Sequence, residues 1–227
     1  MVETHCHLVP GVDDGASTLE ESLAMIEEAA SCGITGIIAT PHLVGEPDEV
    51  ARHRMHEQRF APVLQAGTGM ELVLGGEIRA TEVTPSCVTL PEFTVGGAGR
   101  YLLLEFEFER LPEYAFELIR LYRAAGITPV IAHPERNRGI LAEPGLALDL
   151  VVAGAVLQVT TGALIGDLGE ARQAMAELLV SNGIVSLLAS DAHNVSTRRF
   201  LSWPGAYERA CELQAAQSDE VPSFRAD

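Results

Sequence analysis

Lysine is missing from this chain: all 15 basic residues are arginine, set against 32 acidic ones, for a formal net charge of −17 at pH 7. So negative a surface repels phosphate backbones and argues against broad nucleic-acid binding. It leaves room for a small phosphorylated substrate, because bound metals can make a site locally positive. Cysteine is scarce: Cys6, Cys32, Cys87 and Cys211 have no paired spacing, which reads as a reduced, cytoplasmic set. No run of residues approaches the roughly 18 consecutive apolar positions of a membrane span. Nor is there a basic start followed by an apolar stretch, so no signal peptide and no membrane insertion are expected.

What is present is a globular composition, 47% hydrophobic over 227 residues, long enough for one large domain spanning 1–227. Met1–Leu8 predicts a strand that runs into the turn-rich Pro10-Gly11 and Asp13-Asp14-Gly15. Ser17-Thr-Leu-Glu20 predicts a capping box opening a helix with Leu19, Leu23, Ile26 and Ala30 on one face and Gly33 at its end. Further strands are expected at Ile34–Thr40, Leu72–Ile78, Tyr101–Phe106, Thr128–Ala132, Ala155–Thr160 and Ile184–Ala189. Helices are expected at Asp48–Gln65, Pro112–Ala125, Glu143–Val152, Glu170–Ser181 and Tyr207–Ala216, with a polar tail after Gln217. Alternation of this kind implies a parallel sheet, either open and doubly wound or closed into a barrel. No linker, composition shift or internal repeat divides the chain.

The histidines and carboxylates fall at one kind of place on that map. His5 and His7 end the first strand, with Asp14 in the loop beyond. His42 follows the second strand, Glu77 ends the third and Glu105 lies late in the fourth. His133 follows the fifth, and Asp191 and His193 follow the seventh. In parallel barrels the carboxyl ends of the strands converge on one mouth. Singly each has an ordinary explanation: a strand-end glutamate is usually a salt-bridge partner, and a lone histidine a satisfied core residue. His53 and His56 read as solvated positions on a helix face. Nine candidates at six strand ends are poorly explained one at a time. Mixed imidazole and carboxylate donors suit zinc, manganese or iron, and nine exceed what one ion can use, which implies two or three.

These residues sit in runs that resemble the PHP (polymerase and histidinol phosphatase) superfamily, and within it the bacterial PHP-type protein-tyrosine phosphatases of capsule and exopolysaccharide operons, the CpsB/YwqE group. The resemblance covers nearly the whole chain. It is carried by His5-Cys-His-Leu-Val-Pro-Gly-Val-Asp-Asp-Gly-Ala16, Ala39-Thr-Pro-His42, Gly76-Glu-Ile-Arg79, Leu104-Glu-Phe106, Ile131-Ala-His-Pro-Glu-Arg-Asn137, Leu157-Gln-Val159 and Ser190-Asp-Ala-His-Asn194. It implies a distorted (β/α)7 barrel with a trinuclear, usually manganese-dependent site. It implies His5, His7, Asp14, His42, Glu77, Glu105, His133, Asp191 and His193 as ligands, and Arg136 and Arg198 as phosphate-binding arginines. It further implies a phosphotyrosine protein as substrate, a cognate bacterial tyrosine kinase above all.

Three positions depart from the family pattern: Glu3 stands where Asp is usual, Leu43 follows His42 in place of a second histidine, and Glu107 adds a negative charge near the expected mouth. Cysteine-based tyrosine phosphatase chemistry is excluded, since the positions six beyond the four cysteines hold Val12, Ile38, Phe93 and Gln217 and not arginine. A metal-dependent amidohydrolase also opens with His-x-His, but the carboxylated lysine that often bridges its metals cannot exist here. Two further alternatives are a PHP phosphatase acting on a small substrate such as histidinol phosphate, and a non-catalytic module that keeps metal for stability.

Overall fold

The computed structural model describes residues 1–44, 49–81 and 93–220. Among them nine strands pair in parallel: β1 (Val2–Cys6), β2 (Gly36–Ala39), β3 (His42–Val44), β4 (Glu71–Leu74), β5 (Glu77–Arg79), β6 (Tyr101–Glu105), β7 (Thr128–Ala132), β8 (Val156–Thr160) and β9 (Val185–Ala189). They form a three-stranded sheet, β1-β2-β4, and a six-stranded one, β3-β5-β6-β7-β8-β9.

Nine segments replace the seven strands expected: the strand expected at Leu72–Ile78 is cut in two, and the one expected to end at Thr40 resumes as β3. β2 passes into β3 across Pro41, which has no N–H to donate, and β4 passes into β5 across Gly75-Gly76. Hydrogen bonding continues through both cuts: Gly75 N donates to Ala39 O (2.8 Å) and Glu77 N to Pro41 O (3.1 Å). With each cut pair taken as one strand, seven positions run round the structure. β9 closes back on β1 through Asp191 N to His5 O (2.9 Å) and His7 N to Ala192 O (2.8 Å). This is the expected distorted (β/α)7 barrel.

The helices are α1 (Leu19–Ser31), α2 (Glu49–Gln65), α3 (Ala115–Ala124), α4 (Arg138–Ala142), α5 (Gly145–Val152), α6 (Thr161–Leu164), α7 (Glu170–Ser181) and α8 (Trp203–Glu220). The α1 cap sits one residue later than the sequence implied. Thr18 Oγ1 accepts from Glu21 N (3.2 Å), and Glu21 Oε2 accepts from Ser17 N (2.9 Å). α1 ends as expected at Gly33, whose φ of 79° favours glycine. The expected 143–152 helix is preceded by a separate α4. α8 starts earlier and runs further than expected, to Glu220. Asp48, Cys87 and the tail from residue 221 lie outside the described residues.

Side-chain alternation splits the packing into layers. Leu102, Leu104, Ile131, Leu157 and Val159 face outward into the main core beneath the helices. Leu103, Val130 and Ala132 face inward and form a small apolar cluster with Val156 and Leu187. A separate core joins β1 and β2 to α1, with Phe200 and Trp203. α2 packs against α1, β3 and β4, and this overturns the solvated reading of its histidines: His53 is 6% and His56 0% exposed. Burial pushes His56 down to about 4, so it is neutral at pH 7. Leu43, which stands where the family pattern has a second histidine, is buried in the main core.

Candidate metal centre

β1 alternates so that His5 and His7 share the inner face, and each is oriented through its Nδ1. His5 Nδ1 lies 2.8 Å from Gln158 Oε1, while Gln158 Nε2 donates to Thr4 Oγ1 (2.9 Å). The amide is thereby turned to accept, placing the imidazole proton on Nδ1 and the lone pair on Nε2. His7 Nδ1 lies 2.8 Å from Asp13 Oδ2, which also accepts from His42 N (3.0 Å), while Asp13 Oδ1 accepts from Gly15 N (2.9 Å). Burial opposes the charge on Asp13, but His7 and the two backbone donors hold its carboxyl well below the usual range. Residue 15 must be glycine for this loop to close, since a Cβ there would fall 2.2 Å from His7 O.

The two Nε2 atoms meet two carboxylate oxygens. His5 Nε2 lies 3.2 Å from Glu77 Oε2 and 3.3 Å from Asp191 Oδ1, and His7 Nε2 lies 3.3 Å from both. All four atoms are buried, and none has a hydrogen-bond partner. Buried acceptors turned on one another without a donor are costly unless something positive sits among them. Ligand atoms about 2.0–2.1 Å from a shared first-row ion lie roughly 3 to 3.4 Å apart, which is the spacing seen. The donor set fits a divalent metal.

The remaining candidates extend the same pool. β3 and β5 pair His42 with Glu77 in register. His42 Nδ1 is 3.1 Å from Glu77 Oε2, and its Nε2 is 3.3 Å from Asp14 Oδ1. His193 Nε2 is also 3.3 Å from Asp14 Oδ1. His133 Nε2 lies 3.0 Å from Glu77 Oε1 and 3.7 Å from Glu105 Oε1. Three overlapping donor groups result: His5-His7-Glu77-Asp191, His7-Asp14-His42-His193 and His42-Glu77-Glu105. All nine sequence candidates converge on one mouth. Glu77 does so by opening β5 and not, as expected, by ending an unbroken strand. His133 (φ 31°) and Asp191 (φ 53°) are the only described non-glycine residues with left-handed backbone, a conformation that costs on the order of 1–3 kcal/mol and turns each side chain sharply out of its strand.

Electrostatics matches this crowding. Burial disfavours imidazolium at His5 and His7, but the facing carboxylates outweigh it and raise both, so the same negative field that draws a cation to these Nε2 atoms draws a proton that the cation must displace. Burial likewise opposes charge on Glu77 and Asp191, and the surrounding histidines pull both carboxyls well down. Burial, with the charge of His7 and nearby Arg198, pushes His193 down to about 4.

Arg136 and Arg198 close the outer side. Arg136 Nη1 donates to Asp191 Oδ2 (2.7 Å), and Arg198 Nη2 reaches the same oxygen. Asp191 therefore turns one oxygen to the histidines and the other to the arginines. Arg198 Nη1 also lies 2.8 Å from His193 Nε2. Arg199, its sequence neighbour, points the other way and pairs with Glu28. Glu107 stands next to Phe108 of the cleft wall but turns its carboxylate to Arg110 (3.2 Å) at the surface, outside the lining itself.

Sequence reasoning missed several supporting residues. Asp13 and Gln158 orient the histidines; their signals were the Asp-Asp doublet and a polar residue inside an apolar strand. Glu3 is fully buried: its Oε1 accepts from Thr4 N (2.9 Å) and His5 N (2.8 Å), and its Oε2 from Ser190 N (3.0 Å) and Trp203 Nε1 (2.6 Å). Glu3 thus ties β1, β9 and α8 together beneath the site, and its substitution for Asp removes no donor from the mouth. Arg79 and Phe108 line the open cleft of ≈ 320 Å³ above the donors.

Fold and site together define a class: a parallel α/β barrel whose mouth carries a histidine–carboxylate pool of the kind that holds clustered divalent metals. The chain matches the family "Capsular polysaccharide synthesis, CpsB/CapC" over residues 1–201, and it belongs to that family. It is 35% identical to the tyrosine-protein phosphatase YwqE of Bacillus subtilis, over 91% of this chain and 83% of that one. A crystal structure from work on YwqE of Bacillus subtilis and CpsB of Streptococcus pneumoniae, described as unique metal-dependent tyrosine phosphatases, superposes with a TM-score of 0.82 at 34% identity, covering 96% of this chain and 92% of that one. A histidinol phosphate phosphatase from Lactococcus lactis shares the fold at 14% identity, with a TM-score of 0.54 and coverage of 94% and 93%. No helix among the described residues is long and apolar enough to cross a membrane.

Proposed function

We propose that this chain is a metal-dependent phosphoric monoester hydrolase that removes phosphate from tyrosine in a protein substrate. One observation carries the reading: four buried, unpartnered donor atoms of His5, His7, Glu77 and Asp191 adjoin two arginines in an open cleft. In this reading the nine residues His5, His7, Asp14, His42, Glu77, Glu105, His133, Asp191 and His193 hold two or three divalent ions. An imidazole nitrogen serves one ion, so the overlapping donor groups are alternative divisions of one pool, which supports more than one ion but not a separate set for each. Manganese is the ion proposed, with iron and zinc chemically compatible.

Divalent ions bound there supply Lewis acidity and acidify water. The chain's own residues do the rest. Gln158 and Asp13 hold His5 and His7 in the ligating tautomer. Arg136 and Arg198, now spanning Asp191 Oδ2, grip phosphoryl oxygens and stabilise charge developing on them. A tyrosine leaving group, with a pKa of about 10, departs with little protonation, so no general acid is assigned. The relatives' activity and the family's capsule role support a phosphotyrosine protein as substrate; the proposal places this chain in the cytoplasm and takes as its partner a tyrosine kinase phosphorylated on its own tyrosines and governing capsule or exopolysaccharide synthesis. The test is hydrolysis of a phosphotyrosine peptide beside a phosphoserine peptide and histidinol phosphate, with manganese and then with chelator. Manganese-dependent turnover selective for phosphotyrosine is expected; preference for histidinol phosphate, or turnover that survives chelation, overturns the reading.

A further inference from the structure

The cleft above the donor pool is almost wholly charged. Its lining consists of arginines, histidines and carboxylates, with one exception among the described residues: Phe108. Phe108 is half-buried, whereas the residues that lead to it, Leu102 to Phe106, are buried. A single part-open apolar ring is ordinary in itself; what sets this one apart is its place in the wall of a charged cleft, against Arg136.

Its placement is rigid. Asn137 Nδ2 donates to Glu107 O and Arg138 N donates to Phe108 O, both at 2.7 Å, so the turn that carries Arg136 clamps the backbone that carries Phe108. The Arg136 guanidinium lies 4.6 Å from the Phe108 ring centroid, a cation–π distance. The ring of His133 lies 5.6 Å away at 47°. A phosphate gripped by Arg136 would therefore sit beside an aromatic wall.

From this we infer that Phe108 is a specificity-determining residue: it packs against the aryl group of an aryl phosphate ester and sets the preference for phosphotyrosine over alkyl phosphate esters. The assignment rests on the phosphomonoesterase reading and deepens it. The chemistry is selective because an aryl ester presents a flat π-surface that offset or edge-to-face contact rewards. A serine-type ester presents a short methylene with no such surface.

Two measurements on the metal-loaded protein test the inference. The first compares kcat/KM for phenyl phosphate and for an alkyl ester, β-glycerophosphate, in wild type, F108A and F108W. F108A is expected to lose about tenfold on phenyl phosphate and less than about twofold on the alkyl ester, with F108W close to wild type on both. An equal loss on both esters would mean that Phe108 serves only to hold Arg136, since both esters carry the phosphate; no loss on either would mean that the ring touches nothing. Either result overturns the proposal. The second compares binding of phenylphosphonate and methylphosphonate, which needs no turnover. Wild type is expected to prefer the phenyl compound about tenfold and F108A to lose that preference. If wild type hydrolyses neither ester, the phosphatase reading has failed, and the phosphonate preference alone decides whether Phe108 is an aryl wall.

Discussion

The mouth and the floor of this barrel are built by the same strands and could hardly differ more. β6 places Leu103 in the floor and Glu105 at the mouth; β7 places Val130 and Ala132 below and His133 above. β8 sets Val156 in the floor, and two residues later Gln158 beneath His5. At the floor apolar side chains pack on one another around a cavity of ≈ 290 Å³. At the mouth four buried donor atoms have no partner, two residues hold left-handed backbone, and two arginines share one carboxylate oxygen. Burying a leucine or valine contributes on the order of 1.5–3 kcal/mol; burying unpaired donors costs energy of similar size or larger. The mouth is thus a strained arrangement imposed by surrounding structure, and residues that matter for activity there should matter little for folding. The floor should behave in the opposite way.

The largest effect that would break this contrast is a ligand substitution. His5→Ala or Asp191→Ala is expected to lower phosphotyrosine hydrolysis by at least about 1,000-fold while circular dichroism still shows a folded barrel. Retained activity would remove that residue from the ligand set, and wholesale unfolding would make the mouth structural after all. Next is Leu103→Ala at the floor. Leu103 is 2% exposed, so a loss of about 2–5 kcal/mol in chemical denaturation is expected, with metal content per chain unchanged by elemental analysis. A change in metal content would show that floor and mouth are coupled. The smallest effect sharpens the comparison within the mouth. Asp13→Asn keeps an acceptor for His7 Nδ1 but discards its charge, so manganese affinity is expected to fall about 10-fold, and by no more than about 100-fold, in a direct titration. An unchanged affinity would show that Asp13 orients His7 without raising its basicity.

The strands were legible because alternation and chain punctuation are local: β7 begins and ends where expected, and α7 does too. The cut at Gly75-Gly76 was written in a residue type known to interrupt ladders, yet the apolar residues on either side of it hid the break, while at Pro41 the expected strand stopped at Thr40 and the short β3 beyond it was missed. The histidines of α2 were misread for a different reason. A polar helix face looks solvated in sequence, and only the docking of α2 against α1, β3 and β4 makes His56 fully buried. Arg198 and Arg199 are equivalent as neighbours in a string. Glu28 captures one and Asp191 the other, and that choice exists only once α1 and β9 have met.

By itself, then, the sequence determined a parallel alternation of strands and helices and set nine histidines and carboxylates at strand ends, because apolar runs, chain punctuation and residue position are properties of order along the chain, while the closed barrel was implied by the resemblance of its motifs. Tertiary structure alone decided which donors share an ion's volume, which arginine faces the cleft, that Asp13, Gln158 and Glu3 brace the site, and that Phe108 stands open beside Arg136. Those are contacts between residues as many as two hundred positions apart, from Glu3 to Trp203. Their distances are set by how the strands close, which no local pattern records.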